Sequence, residues 1–292
     1  METITSELVA GLAPVRSDDG HKGTFGTALV IAGSEYMTGA QVLMTSSALR
    51  SGAGMVRVYA PDGSLASTRV NCPCALTSAW GDTEASAIRE LRRYLAKASC
   101  CGIGPGLDES DRRSKALLET LIDESPRLVI DAGALNILAG DRIRLFPLLK
   151  ARCDKEGFEP AVLTPHIGEF RRLTGGQDQS CLVQFARDTG CVTVLKSNNT
   201  IVSSTDGKCY INNIGNSGLA KGGSGDVLSG LITGLMSQGI DALSASIAAV
   251  RIHAECGLIL ADECGKRAML PQDMPAVMGR AFKACGWERD EY

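Results

Sequence analysis

Short apolar, β-branched runs alternate with longer helical patterns along nearly the whole chain, and few folds satisfy that alternation. Residues 28–33, 55–60, 101–106, 128–132, 161–165 and 192–196 read as strands, and runs such as ALVIA are apolar throughout, as in strands buried from both sides. Helix-period spacing falls between and after them, at 39–51, 86–98, 114–124, 144–152, 168–173, 181–189, 223–238, 242–261 and 274–284. Two more strands, 200–204 and 208–211, flank Thr205, Asp206 and Gly207, a hairpin signal. Strands joined through helices run parallel, so the pattern predicts an α/β three-layer sandwich around a mostly parallel central sheet. With no Pro/Ser-rich linker, internal repeat or long charge run, the reading is one domain over 1–292, with 1–20 a mobile N-terminal stretch.

Composition narrows the function. A net charge of −3 lacks the basic face that a nucleic-acid clamp needs to displace counterions from phosphates. No run of 18 or more apolar residues occurs, so no membrane partner is expected. The opening stretch has no basic region followed by an apolar block, so it does not read as a signal peptide. Eleven scattered cysteines, an odd number, fit buried free thiols in a reducing cytoplasm. The 33 glycines exceed what turns alone require and suit close approach of backbone to phosphate.

Several common motifs are absent: the P-loop, the dinucleotide GxGxxG, HExxH, CxxC and GxSxG. The strongest segment present is NIGNSGLAKGGSGD, residues 213–226, running straight into an apolar helical pattern. Gly222, Gly223, Ser224 and Gly225 suit an anion loop, because consecutive N–H groups and a helix N-terminus converge on one negative group. Asp226 then sits in the first helical turn, either as a base that takes a proton from an attacking hydroxyl or as a simple cap.

Other strand ends carry weaker signals. In Thr164-Pro165-His166-Ile167-Gly168-Glu169, His166 is a ligand or acid/base candidate or a structural histidine, and Glu169 holds the loop or contacts a hydrated metal. Asn136, just beyond the strand end at Asp131, faces a pocket or caps a helix. The glycines of 102–106 allow backbone approach to a ligand or make a tight turn. The stretch Lys196, Ser197, Asn198, Asn199, Thr200 reads a nucleotide or is a solvated turn. HKGTFG, residues 21–26, is a flap or a flexible lead-in.

Taken together these segments resemble the ADP/ATP-dependent NAD(P)H-hydrate dehydratases, a repair branch of the ribokinase-like fold. The resemblance runs from about His21 to the C-terminal helices. It rests on HKGxxG, GIGPG, DAGALN, TPHxGE and GNxGxAxGGxGDVL in one order. It implies that Asp226 is the catalytic carboxylate, and that Ala40, Gly106, His166 and Asp226 contact the hydrated dinucleotide. It also implies that Lys196, Ser197, Asn198, Asn199, Thr200 and Gly225 hold ADP or ATP, with Mg2+ expected. Three positions depart from the family: Ile167 for Pro, Ser197 for Gly and Ser224 for Thr. A homo-oligomer, a tetramer, is implied, with the epimerase that many bacteria fuse to this domain working as a separate chain. The implied activity is dehydration of the S epimer of NADHX or NADPHX to NADH or NADPH, by phosphorylation of its hydroxyl and elimination of phosphate. A vitamin-precursor or sugar kinase would use the same Asp226 loop, but TPHxGE and DAGALN favour the dehydratase. A non-catalytic nucleotide-binding module would not need Asp226.

Overall fold

The computed structural model describes residues 1–176 and 178–287. The chain runs β1 (Glu2–Thr3), α1 (Ser6–Ala10), β2 (Thr27–Ile31), α2 (Thr38–Arg50), β3 (Met55–Ala60), α3 (Leu65–Asn71), β4 (Leu76–Ala79) and α4 (Glu84–Leu95). It continues with β5 (Cys100–Ile103), α5 (Arg112–Glu124), β6 (Leu128–Ile130), α6 (Ala132–Gly140), α7 (Arg142–Ala151), β7 (Val162–Leu163), α8 (Ile167–Thr174) and α9 (Gln179–Thr189). Last come β8 (Val192–Leu195), β9 (Thr200–Ser203), β10 (Cys209–Asn212), α10 (Ser224–Ser237), α11 (Ala242–Ala268, broken at Gly265) and α12 (Met274–Ala284).

These strands form one sheet in the order β1-β10-β9-β8-β7-β6-β5-β2-β3-β4. From β4 to β8 every pairing is parallel, and the β9–β10 hairpin extends that sheet antiparallel. The chain first builds outward from β2 to β4, then returns to the other side of β2 at β5. The strand order therefore reverses between β2 and β5, which opens a crevice beyond their C-terminal ends. Alternate side chains feed two cores: Leu128 and Ile130 pack under α4 to α9, while Val129 packs under α10, α11 and α12. The expected three layers result.

The ends of the chain differ from expectation. Residues 2–10 are not a loose lead-in: β1 pairs with β10, Ile4 and Val9 are fully buried, and Trp287 Nε1 donates to the Val9 carbonyl at 2.7 Å. Besides β1 and α1, three more elements escaped the sequence reading. β4 is a polar edge strand without alternation, α3 is short, and α6 is apolar on all sides and so shows no helical face. The C-terminal half of the chain also holds α11, whose length and mean hydropathy of 1.4 match a membrane span; 61% of that window lies inside the fold, as in a core helix.

Helices α2 and α10 approach closely because α10 carries glycines on the contact face. A Cβ at Gly230 would lie 2.2 Å from the Met44 carbonyl oxygen, and one at Gly234 would lie 1.9 Å from Ser51 Oγ. Gly230→Ala must force the helices apart and is expected to cost about 1–3 kcal/mol. An unchanged midpoint in denaturant unfolding would contradict this packing.

Candidate active site

Three adjacent parallel strands deliver side chains to one edge of the sheet. β6 is followed at once by Asp131, β7 leads through Thr164 and Pro165 to His166, and β8 is followed by Lys196. The first turn of α10 faces them across a cavity of about 860 Å3. His166, Lys196, Ser197, Asn198 and Thr200 line this cavity, as do Gly222, Gly223, Ser224, Gly225 and Asp226. Asn199 does not; its carbonyl accepts from Ser197 Oγ and shapes the turn. Ala40 and Gly106 lie elsewhere, in the crevice between β2 and β5. A Cβ at Gly106 would sit 3.0 Å from Ala40 Cβ and 3.2 Å from Gly33 Cα, so the backbone itself walls that crevice.

The anion loop enters its helix without a side-chain cap. Gly223 is the N-cap, with φ +100°, a conformation glycine adopts without penalty. Asp226 is the third helical residue and not a cap, so its carboxylate is free of that duty. The turn at His166 works differently. His166 Nδ1 accepts from the N–H groups of Gly168 (2.9 Å) and Glu169 (3.3 Å), while Glu169 Oε2 accepts from the His166 N–H at 2.8 Å. This reciprocal box settles Glu169 as the residue that holds the loop. It also fixes the imidazole: with Nδ1 accepting, the ring proton is on Nε2, which makes His166 a donor and not a base there.

Charge organises the rest. Lys196 Nζ donates to Asp131 Oδ1 at 2.7 Å, and both side chains are largely buried. Burial pulls the ammonium down, but Asp131, Glu169 and Asp226 more than offset that and hold it above the usual lysine value. Asp226 is raised as well. Burial pushes its carboxyl up, Asp131 and Glu169 repel its charge, Lys196 offsets only part of this, and the result is about 7. His253, on α11, is pushed down to about 4 by burial despite its hydrogen bond to the Ser224 carbonyl, with Lys196 adding to the fall. At the mouth of β6, Ala132 is the one non-glycine residue with positive φ (+48°) among the described residues, and it lines the cavity. Such a backbone stores about 1 kcal/mol or more and persists where the surroundings enforce it.

Two candidate segments turn out to lie outside the cavity. Asn136 neither lines it nor caps a helix; it bridges Glu109 and Arg172 on the surface. The 21–26 segment is no flap: Gly26 abuts the Ser237 carbonyl, at the opposite end of α10 from Asp226. Conversely, Asp131 and His253 were missed as site residues. A lone acid at the end of a buried apolar strand was a signal for Asp131, since a buried carboxylate requires a partner. His253 gave none, because its partner Ser224 adjoins it only in three dimensions.

The family model described as NAD(P)H-hydrate dehydratase matches residues 28–279. The chain belongs to the NAD(P)H-hydrate dehydratase family. It is 33% identical over 288 residues to the ADP-dependent (S)-NAD(P)H-hydrate dehydratase of Bacillus subtilis, covering 96% of this chain and 97% of that one. It is 34% identical to the bifunctional NAD(P)H-hydrate repair enzyme of Moorella thermoacetica, over 93% of this chain but 52% of that longer protein. The Bacillus subtilis ADP/ATP-dependent dehydratase crystallised with ATP and Mg2+ superposes with a TM-score of 0.80 at 29% identity, over 97% and 98% of the two chains. The ribokinase-like fold and an enzymatic role both stand with this membership.

The raised Asp226 carboxyl has a stability signature. Between about 4 and 7 the folded chain keeps a proton that the unfolded chain releases, so this residue lowers stability as pH rises through that window. Asp226→Asn should therefore unfold at higher denaturant than wild type at pH 8, with the gap closing toward pH 4. A gap independent of pH would show that Asp226 is not titrating near neutrality.

Proposed function

We propose that this chain is the ADP- or ATP-dependent (S)-NAD(P)H-hydrate dehydratase that its family membership indicates. One observation carries the reading. A carboxyl held near 7 stands in the first turn of an uncapped helix, beside a glycine loop built for an anion. Such a group can accept a proton at neutral pH, whereas an ordinary aspartate is too weak a base.

The steps follow from that arrangement. The nucleotide's phosphates lie against the 222–225 loop and its nucleoside against residues 196–200, while the hydrated nicotinamide reaches Asp226 from the crevice at Ala40 and Gly106. Asp226 takes the proton as the hydrate's hydroxyl oxygen attacks the terminal phosphorus and the bond to the nucleotide breaks. His166 Nε2–H donates to the hydrate and orients it. Phosphate then leaves as the ring nitrogen's lone pair pushes, and loss of the neighbouring carbon's proton restores the dihydropyridine. The Mg2+ present with ATP in the Bacillus structure would neutralise phosphate charge during transfer. The oxygen of this chain that fits such an ion is Asp131 Oδ2, buried and without a hydrogen-bond partner, aided by water and phosphate oxygens.

Eleven free thiols support a cytoplasmic setting. The bifunctional repair enzyme among its relatives supports an epimerase as pathway partner, and the family resemblance supports a homo-oligomer, a tetramer. Incubation with NADHX or NADPHX plus ADP or ATP should restore absorbance at the NADH band. Phosphorylation of a small alcohol without that recovery would mean a kinase instead. Asp226→Asn should lose about 10²–10⁴ in turnover while nucleotide binding, read by calorimetry, persists. Near-wild-type turnover would remove Asp226 from the chemistry. The wild-type rate should also rise with pH through about 7 as the carboxyl loses its proton; a flat profile across that range would contradict its role as base.

A further inference from the structure

The glycine loop is tied to α11 and the turn that follows it by three side chains. Asn216 Nδ2 donates to the Gly257 carbonyl at 2.7 Å, and Lys221 Nζ donates to the carbonyls of Arg267 (2.7 Å) and Met269 (2.5 Å). His253 Nε2 lies 2.9 Å from the Ser224 carbonyl and 3.3 Å from Ser224 Oγ. A carbonyl only accepts, so Nε2 carries the proton and donates.

The three ties are not equivalent. Those of Asn216 and Lys221 end before Gly222 and Gly223. Nothing would obstruct a side chain at Gly222, and Gly223 holds φ +100°, so neither glycine is anchored through a side chain. The Ser224 N–H donates back across them to the Lys221 carbonyl at 3.2 Å, and His253 supplies the side-chain grip on the Ser224 carbonyl. Beyond it, Gly225 is set so closely over Lys196 that a Cβ there would lie 3.0 Å from Nζ, and Asp226 follows at once.

We propose that His253 is a positioning residue for phosphoryl transfer: its Nε2–H holds the Ser224 carbonyl and thereby fixes the turn that places Gly225 and Asp226 over the Lys196–Asp131 pair. Burial keeps the imidazole neutral, so the second ring nitrogen brings no competing charge into the phosphate site. With Nε2 supplying the donor, the Ser224 hydroxyl keeps its own proton for an anion in the cavity. The inference rests on the proposed dehydratase reaction, and ADP affinity, read without turnover, separates its failure from a failure of that reading.

His253→Gln and His253→Asn make the test, because the Gln amide nitrogen reaches about where Nε2 stands and the Asn nitrogen falls short. Both variants of the full chain are compared with wild type by melting curve, ADP calorimetry and kcat at saturating hydrate and ADP. The Gln variant should stay within about threefold of wild type in kcat. The Asn variant, melting alike, should lose about 10²-fold in kcat, the scale of a displaced reacting geometry, and about tenfold in ADP affinity. Wild-type kcat and affinity in the Asn variant, or equal losses in both folded variants, would overturn the proposal. So would a failure of both to fold, since the proposal holds that the donor and not the ring is what the loop requires.

Discussion

A lysine and an aspartate buried against each other at the sheet edge set the terms for everything around them. Lys196 and Asp131 end strands that are not neighbours, β8 and β6, with β7 between, and their 2.7 Å contact fastens the two strand ends across His166. Taking such charges out of water is costly, and removing one partner leaves the other uncompensated, at about 3–5 kcal/mol. The pair cannot therefore be dismantled without disturbing this corner of the fold. It also creates the local field. Burial pushes the Asp226 carboxyl up most, Asp131 repels its charge further and Lys196 attracts it, and the outcome is a carboxyl near neutrality. A side chain at Gly225 would press on the same ammonium, since a Cβ there would lie 3.0 Å from Nζ.

Two sites meet because of how the sheet is wound. The reversal of strand order between β2 and β5 opens the crevice where Ala40, Gly33 and Gly106 touch. The edges of β6, β7 and β8 supply the larger cavity alongside. Helix α10 packs on α2 through Gly230 and Gly234, and its first turn lines that cavity with Ser224, Gly225 and Asp226. The helix's uncapped N-terminus contributes favourable charge for the phosphate at that point.

The sequence disclosed what is local. Short apolar or β-branched runs pointed to β2, β3, β5, β6, β7 and β8, and the density of glycine before an apolar helix pointed to the loop at 222–225 and to Asp226, which line one cavity. It failed where local pattern carries no information. α6 is apolar at every position but Asn136 and begins at Ala132 in a strained conformation, so it shows neither a helical face nor a cap. β4 is a polar edge strand whose place is set by β3. The Lys196–Asp131 pair joins residues 65 positions apart, and His253 reaches Ser224 across 29. HKGTFG was legible as a motif but not as a location, because its Gly26 abuts the Ser237 carbonyl at the far end of α10.

The central claim is that the site holds the Asp226 carboxyl near neutral pH. Carbon NMR of the labelled aspartate carboxyls, titrated in wild type and in Lys196→Met, reads this directly. The account predicts a midpoint near 7 for Asp226 in wild type and a higher one in the variant, where a stabilising positive charge is gone. A wild-type midpoint near the ordinary aspartate value of about 4 would contradict it.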